Sequence, residues 1–586
     1  MGDDVHKPIA RNQPTMQTMP MWCVQPGLDI GLHSSLEAAR QWESDASGRV
    51  RCGALAALRL AVSDWVVDTL PAGADATSAA SLLVFGSCRM LGVVDAETDV
   101  DCVLVTTSRI ARAAFFASFV PRLAAHSGVT HLNAVPAAFV PIVKFRMHGV
   151  HFDLITAVLP LPSLIGVNFL SDECLIGMDD ASVRSLNGVR VAEILLQLVP
   201  DVQRFRCALR AVRLWAKRRG VYSNVLGYLG GINCAILVAR VAQMHPAAPA
   251  SQLVAHFFRL YSQWKWEAAG WNPVELVPAR RPMVNALRRH ANWGEDSRDQ
   301  MHAMPIITPA FPHMNSAFNV GPSSLATLQR ELRRGAHVSA QIESGHELKW
   351  EALFEPSDFF DGFGRFLRVR ISATTPEAQQ RWFGWVETRL RGFVRELEAV
   401  PRVARARLLT TPFEEAASVA GREQQASSAS AASASASALV EGFATSFFIG
   451  LRCSSSRSGG GSRSSSKGPL DLSLPWSTFA SQVAAWGDRD SQTMDLELRA
   501  FARSDVPLRY RLALRGEEVR SSVSCGDDAN AEEKSVVGES AAAVATVATA
   551  AAPLPKLNAW GRVGHAPAAA AVAWSENRAW QQRVKD

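Results

Sequence analysis

Two aspartates on alternate positions of a predicted strand constrain this chain more than any other feature. Asp99 and Asp101 lie downstream of an apolar run, Ser81 to Phe85, which ends in Gly86–Ser87. Because strand side chains alternate between faces, the two carboxylates should point the same way. Two such charges about 4 Å apart would repel by roughly 4 kcal/mol at an effective dielectric constant near 20. A proton or a cation is therefore expected between them.

A third carboxylate supports the same interpretation. Asp153 lies in a mostly apolar run, Val150 to Leu161, where a charge is costly unless it is paired or bound to metal. Three acids beside a Gly-Ser turn, whose backbone N–H groups suit a phosphate, predict a site for divalent cations and a nucleotide. The alternatives without a binding function are a solvated acidic loop around Asp99 and an ordinary loop at Gly86–Ser87.

A basic helix is predicted from about Val202 to Arg219, with Asp201 as its N-cap and Gly220 as its stop. One of its faces carries four cations with no acid between them, and these repel each other unless an anion lies alongside. The pattern predicts a phosphate-bearing ligand, whereas the alternative is a solvated helix face. The four are Arg206, Arg210, Arg213 and Lys217.

The chain also resembles a known family. The order and spacing of its motifs resemble those of the nucleotidyltransferase palm superfamily. The motifs are Gly-Ser, then eleven residues, then Asp-x-Asp, and later a strand that carries a further Asp. Ser185 to Arg240 and Met304 to Val320 resemble nuclear eukaryotic poly(A) polymerases, and the likeness runs with gaps from about Leu55 to about Phe501. The resemblance implies addition of AMP from ATP to the 3′-hydroxyl of RNA. It also implies that Asp99, Asp101 and Asp153 are catalytic and hold two Mg²⁺ or Mn²⁺ ions.

The resemblance further implies a set of ATP-binding residues and a cellular setting. Arg213 stands where the family usually has lysine, and Ile232 stands where it usually has valine. The family works in the nucleus with mRNA cleavage and polyadenylation factors, and a monomer is expected. The implied ATP-binding residues are Phe85, Gly86, Ser87, Asn187, Arg213, Lys217, Tyr222, Gly231, Ile232 and Thr308.

The predicted fold class is an α+β multidomain protein with a nucleotidyltransferase palm, a helical middle domain and an RNA-recognition-motif-like C-terminal domain. Low-complexity insertions near 416–438 and 454–467 lack the apolar surface to fold and are predicted to be disordered. The predicted ranges are 1–54 for an extension, partly disordered and partly packing on the middle domain, 55–186 for the palm with its mixed sheet, 187–357 for the middle domain, 358–515 for the RNA-binding domain and 516–586 for a disordered Ala-rich tail.

The third domain contains an alternating strand, "RFLRVRISA". Its outer face would carry Phe366, Arg368 and Arg370. An exposed aromatic and basic strand face is what RNA-recognition-motif-like sheets use to bind RNA, so these residues are predicted RNA contacts. The alternative is an ordinary outer face of an edge strand.

Composition excludes several classes. A net charge of +6 is too small to show a nucleic-acid partner by itself. Nine dispersed cysteines without a Cys-x-x-Cys pair argue for a reducing compartment and against disulfide frameworks and zinc sites. No signal peptide is found and no apolar run reaches about 18 residues, so a soluble intracellular protein is expected.

The rival functions are another template-independent transferase, such as a terminal uridylyltransferase or an oligoadenylate synthase, and a catalytically inactive RNA-binding factor.

Overall fold

A computed structural model describes residues 26–92, 98–266, 272–278, 292–418, 441–453 and 470–516. All of these lie in one compact unit, Met1–Val519, while a second unit, Arg520–Asp586, falls wholly outside the described residues. The predictions of disorder for the first residues, the second insertion and the Ala-rich tail after Gly516 also fall outside them. The first insertion falls outside them only after Ser418, and the prediction is wrong for its first three residues, which belong to the strand Phe413–Ser418. Within the described ranges no helix is both long and apolar enough to cross a membrane.

The first domain is built on a five-stranded mixed sheet in the order β1-β2-β5-β4-β3, in which β2 and β5 run parallel. Trp65, Phe115 and Phe119 fill the core on one face of the sheet, and Val183 and Leu186 cover the other. The elements are α1 (Pro26–Ala38), α2 (Asp45–Thr69), β1 (Ala80–Phe85), α3 (Gly86–Leu91), β2 (Val100–Thr107), α4 (Arg112–Ala114), a π turn (Phe115–Phe119), α5 (Val120–Ala124), β3 (Val129–Val135), β4 (Ile142–Met147), β5 (Val150–Leu159) and α6 (Asp180–Leu198).

The second domain is helical. Its helices are α7 (Val202–Arg218), α8 (Gly231–Met244), α9 (Ala250–Gln263) and α10 (Pro322–Glu343). The predicted limits of α7 are confirmed: the Asp201 carboxylate accepts hydrogen bonds from the backbone N–H groups of Gln203 and Arg204 at 2.9 and 3.0 Å. Gly220 follows the helix at φ +64°, a left-handed conformation that suits glycine. Helix α1 packs on this domain and buries Leu32 and Leu36 in its core.

The third domain is an antiparallel sheet in the order β10-β6-β9-β7, with β8 paired to β9. The sequence predicts a helix capped by Thr375 with Pro376 at its first position, and α12 begins there, since the Thr375 side chain accepts a hydrogen bond from the Ala378 N–H. Helices α12 and α13 cover one face through Trp382, Phe393 and Phe479. The elements are α11 (Phe359–Gly362), β6 (Arg365–Ala373), α12 (Pro376–Glu398), β7 (Val403–Leu408), β8 (Phe413–Ser418), β9 (Glu441–Cys453), α13 (Ser473–Ala484), β10 (Met494–Ala502) and α14 (Leu508–Arg515).

The other face of this sheet corrects the prediction for β6. Phe366 is only 1% exposed, because Phe359 and Phe360 of α11 and the following Phe363 pack against its ring. Tyr510 of α14 belongs to the same buried cluster. Arg368 is buried as well and donates hydrogen bonds to the Tyr510 hydroxyl and Glu497, while Arg370 pairs with Glu415 at 3.4 Å. The expectation of an exposed aromatic and basic face is wrong. Helix α14 was not foreseen, and it removes that face from solvent.

The second and third domains are joined by a buried ionic network at the end of α7. Arg219 donates to Glu331 at 2.8 Å, and both side chains are at most 4% exposed. Arg407, from β7, donates to the Arg219 carbonyl at 3.0 Å. Because buried charges are stable only when paired, this network holds the end of α7 against the third domain.

The described chain confirms the predicted fold class. The sequence predicts palm strands at Ser81 to Phe85, Val100 to Val105, Phe139 to Phe145 and His151 to Val158, and each appears with limits shifted by at most three residues. Strands β3, β7 and β8 were not foreseen. The amphipathic pattern of Gly53 to Leu70 predicts a helix over those residues, whereas α2 already starts at Asp45. The early start has a local cause, since the Ser44 side chain caps the helix by accepting from the Ser47 N–H.

Candidate active site

The three predicted acids lie together at one end of the palm sheet. Asp101 on β2 and Asp153 on β5 are direct partners across the parallel strand pair. Asp99 precedes Asp101 by two residues and therefore points to the same side. This side also carries Val103 and Ile155, which α6 covers further along the strands. The apolar cover thus ends where the acids begin, and they remain accessible at the edge of the core.

The electrostatics of the acids reflect this placement. Burial, and then the charges of Asp153 and Asp99, raise the pKa of Asp101 from 3.8 to about 7. Burial and the charge of Asp153 also raise the pKa of Asp99 above its ordinary value. Both shifts mean that the ionised trio is unfavourable without a compensating positive charge.

Gly86 is required for the acids to fit. Its φ is +62°, and a Cβ at this position would collide with Oδ2 of Asp101. The backbone N–H of Ser87 donates a hydrogen bond to the Asp101 carboxylate. The turn therefore positions the central acid directly.

Lys144 is a component of the site that sequence reasoning missed. It lies opposite Asp153 on the neighbouring strand β4, and its Nζ forms an ion pair with the Asp153 carboxylate. The alternation of "IVKFRM" signals that Lys144 faces away from the core, but the pairing register is needed to place it beside an acid.

The donor chemistry of the site fits a divalent metal. Three carboxylates supply the oxygen ligands that Mg²⁺ prefers, and the raised pKa of Asp101 marks a place where positive charge is needed. Within the described ranges, no group of three Asp, Glu, His or Cys side chains lies close enough together to coordinate a metal ion without a change of side-chain conformation. At this site the Asp153 carboxylate is turned to Lys144.

The basic stripe of α7 divides into two halves with different roles. Arg206 donates to the carbonyls of Met90 and Arg89, and Arg210 donates to that of Leu91 at 2.8 Å. These carbonyls end α3, and cations are favourable at the C-terminal end of a helix. Burial lowers the pKa of Arg210 to about 10. The prediction that all four cations face one anion is therefore wrong for this half.

The other half of the stripe lies around Tyr222. The Arg213 guanidinium and the Lys217 Nζ are 5.7 and 5.8 Å from the centre of the tyrosine ring. Nε of Arg213 is buried and has no hydrogen-bond partner among the described residues. A Cβ on Gly231 would come 3.2 Å from the Tyr222 hydroxyl. The structure thus brings four of the implied ATP-binding residues together, and Ile232 follows them at the start of α8.

A second group of implied ATP-binding residues lies on the palm. Phe85 ends β1 and packs against Gly188 of α6, where a Cβ would lie 2.7 Å from its ring. Asn187 is the preceding residue, and its side-chain Oδ1 is buried without a hydrogen-bond partner in the described part of the chain. A buried amide oxygen of this kind is costly unless a ligand or water pairs with it.

Thr308 belongs to a loop that links the two domains. Its hydroxyl accepts a hydrogen bond from the Met314 N–H at 3.0 Å. Phe311 of the same loop is 3% exposed and packs in the palm core beside Val103. The middle domain therefore reaches the palm through this segment.

Two further positioning contacts were not foreseen. Arg51 of α2 donates to the carbonyl of Thr98, the residue before Asp99. Asn233 is fully buried, accepts from the Gly230 N–H and donates to the Ser316 hydroxyl at 2.8 Å. The first contact holds the acid-bearing loop and the second holds the start of α8.

The mixed sheet with acids on the adjacent parallel strands β2 and β5 defines a nucleotidyltransferase. Three family models match consecutive segments: the poly(A) polymerase nucleotidyltransferase domain over residues 24–199, the poly(A) polymerase central domain over 204–356 and the poly(A) polymerase predicted RNA binding domain over 358–513. The poly(A) polymerase pla1 of Schizosaccharomyces pombe is 35% identical over 419 residues, which are 70% of this chain and 72% of the relative. This chain belongs to the poly(A) polymerase family, which confirms the resemblance seen in its motifs.

Other relatives match over part of their length. The poly(A) polymerase of Dictyostelium discoideum is 32% identical over 501 residues, covering 84% of this chain and 58% of the relative. Nuclear poly(A) polymerase 1 of Arabidopsis thaliana is 41% identical over 323 residues, covering 54% of this chain and 44% of the relative. The match thus spans about half the length of these two relatives. The first family model includes all of α6, whereas the predicted palm boundary after residue 186 falls inside that helix.

Proposed function

We propose that this chain is a polynucleotide adenylyltransferase, which transfers AMP from ATP to the 3′-hydroxyl of RNA without a template, as in mRNA polyadenylation. The observation that carries the proposal is the register of β2 and β5, which sets Asp101 directly beside Asp153. Family membership and the match to a predicted RNA binding domain support RNA as the acceptor.

Asp99, Asp101 and Asp153 hold two Mg²⁺ or Mn²⁺ ions in this proposal. When bound, such ions lower the pKa of the attacking hydroxyl and neutralise the departing pyrophosphate. Asp101 must be deprotonated to serve as a ligand, and neighbouring positive charge favours that form. Asp153, which pairs with the Lys144 ammonium, would be a ligand of the ions, and Gly86 leaves room for the Asp101 carboxylate.

The nucleotide is held from both domains. Arg213 and Lys217 neutralise the triphosphate, and both lie close to the ring of Tyr222. Gly231 lies beside the tyrosine hydroxyl, and Ile232, the next residue of α8, presents an apolar surface to the adenine. Asn187, Thr308 and the turn of Phe85, Gly86 and Ser87 complete the ATP site from the palm and from the linking loop.

The proposed setting is the nucleus, where a monomeric enzyme acts with mRNA cleavage and polyadenylation factors. Support comes from relatives that are named nuclear poly(A) polymerases. Phe366 and Arg368 are buried, and Arg370 is half-buried and paired with Glu415, so their surroundings do not support direct RNA contact by these residues.

Primer extension on oligo(A) with each of the four nucleotides, with Mg²⁺, Mn²⁺ or EDTA, tests the proposal. We expect metal-dependent incorporation of AMP by the wild type and none by D101N. D64N is the matched control, because Asp64 is an exposed carboxylate on α2, and it should retain activity. Preferential incorporation of UMP would instead indicate a uridylyltransferase, and RNA binding without incorporation would indicate an inactive RNA-binding factor.

A further inference from the structure

An arginine-rich surface lies at one end of the third domain. Three of its arginines share one carboxylate: Arg503, Arg511 and Arg515 approach Asp361 at 3.2, 3.7 and 3.8 Å. Arg503 and Arg515 are more than half exposed. One carboxylate cannot neutralise three guanidinium groups, so this place carries excess positive charge.

The same surface continues across the sheet. Arg452, at the end of β9, is exposed and donates to the carbonyl of Gly362, the residue after Asp361. Arg405 on β7 lies directly opposite Arg452 in the strand register. Like charges in directly opposite positions are destabilising unless an anion lies between or beside them. We call these five residues, Arg405, Arg452, Arg503, Arg511 and Arg515, the arginine surface.

Asp505 lies on the same short turn as Arg503, but together with Asp361 it supplies two negative charges against five arginines. Asp505, on the short turn after β10, accepts a hydrogen bond from its neighbour Ser504. Burial and the charges of Arg330 and Arg452 lower the pKa of Arg405, which places a further arginine of α10 beside the surface. The arrangement therefore extends from the third domain towards the middle domain.

The shape of the groups favours phosphate. A guanidinium presents a planar fork of donors that matches phosphate oxygens, and Arg511 and Arg515 are one turn apart on the same side of α14. The face of the sheet that sequence patterns assigned to RNA is covered by aromatic residues. A domain of this family that contacts RNA thus needs another surface.

We infer that the arginine surface binds the phosphate backbone of single-stranded RNA behind its 3′ end. The inference rests on the proposed function, because RNA is the acceptor there. An acidic segment of a partner protein is the competing occupant, and the experiment separates the two.

The test compares R503Q/R515Q with the wild type for binding of long labelled oligo(A) over a series of KCl concentrations. The logarithm of the binding constant falls linearly as the logarithm of the salt concentration rises, and each lost phosphate contact makes this slope about 0.7 less steep. For R503Q/R515Q we expect the slope to become about 1.4 less steep than that of the wild type. We expect the affinity at about 0.1 M salt to fall roughly 25-fold. R49Q/R122Q removes two exposed arginines of the palm helices and should bind as the wild type does.

Two further variants give readouts that a purely structural role would not produce. D361N removes the shared carboxylate and should tighten RNA binding about fivefold, the effect of one unit of charge. R503K/R515K keeps the charge and should keep the salt slope. If R503Q/R515Q does not fold, D361N and the exposed single variant R515Q still decide the question.

Activity on a short oligo(A) primer separates this inference from the proposed function. R503Q/R515Q should extend a short primer at the wild-type rate while losing its advantage on long RNA. An unchanged salt slope in R503Q/R515Q, or weaker binding by D361N, would overturn the inference and favour an acidic protein partner. Failure of the wild type to transfer AMP to any primer would contradict the proposed function instead.

Discussion

Replacing Asp101 by asparagine should stabilise the metal-free protein while it abolishes nucleotidyl transfer. In the folded chain the pKa of Asp101 is about 7, compared with an ordinary value of 3.8. A difference of about three pH units corresponds to about 4 kcal/mol between the charged and neutral forms, at 1.36 kcal/mol per unit. Burial and the charges of Asp153 and Asp99 are the source of this penalty.

The sign follows from proton binding. Between pH 3.8 and 7 the folded wild type holds a proton that the unfolded chain has released, so its stability falls as the pH rises through this window. Above about pH 7 the whole penalty of about 4 kcal/mol is present. D101N has no charge to bury, so it should lose much less stability over the same range.

The assay is thermal and urea denaturation in EDTA at low pH and near pH 8, followed by addition of Mg²⁺ or Mn²⁺. We expect D101N to exceed the wild type in stability near pH 8, to match it more closely at low pH, and to gain less from the metal ions. The exposed-carboxylate control D64N should follow the wild type throughout. A D101N protein that is less stable than the wild type near pH 8 in EDTA would refute the electrostatic account of this site.

Three further predictions concern the turn beside the acids, the half of α7 that lies around Tyr222, and the buried ionic network at the end of α7. G86A should reduce kcat by about 100-fold, because its Cβ collides with the Asp101 carboxylate, whereas G73A, which has a similar positive φ in open space, should keep its activity. R213Q should raise the KM for ATP about tenfold or more through loss of a charge-assisted contact, whereas R206Q should leave KM unchanged and lower the melting temperature, since its partners are carbonyls of α3. E331Q should lower the stability to urea by about 3 kcal/mol, because it leaves the buried Arg219 guanidinium without its acid.

Local sequence patterns predicted the elements that carry the chemistry. The limits of α7 follow from an acidic N-cap at Asp201 and a left-handed glycine at position 220, both of which act within one helical turn. The common face of Asp99 and Asp101 follows from strand alternation. The place of Asp153 was foreseen because a charge in an apolar run needs a partner, although its exact neighbour was not.

Long-range packing decided the rest. The sequence shows Lys144 only as an outward-facing residue of a strand. The pairing of β4 with β5 places it opposite Asp153. The alternation of β6 correctly separated two faces, but only the docking of α14, more than 130 residues later, determined that Arg368 would be buried against Tyr510 rather than exposed. A sequence thus determines which side chains share a face, because that depends on bonds between near neighbours. It does not reveal by itself what covers the face, because burial is settled by contacts between segments that lie far apart in the chain.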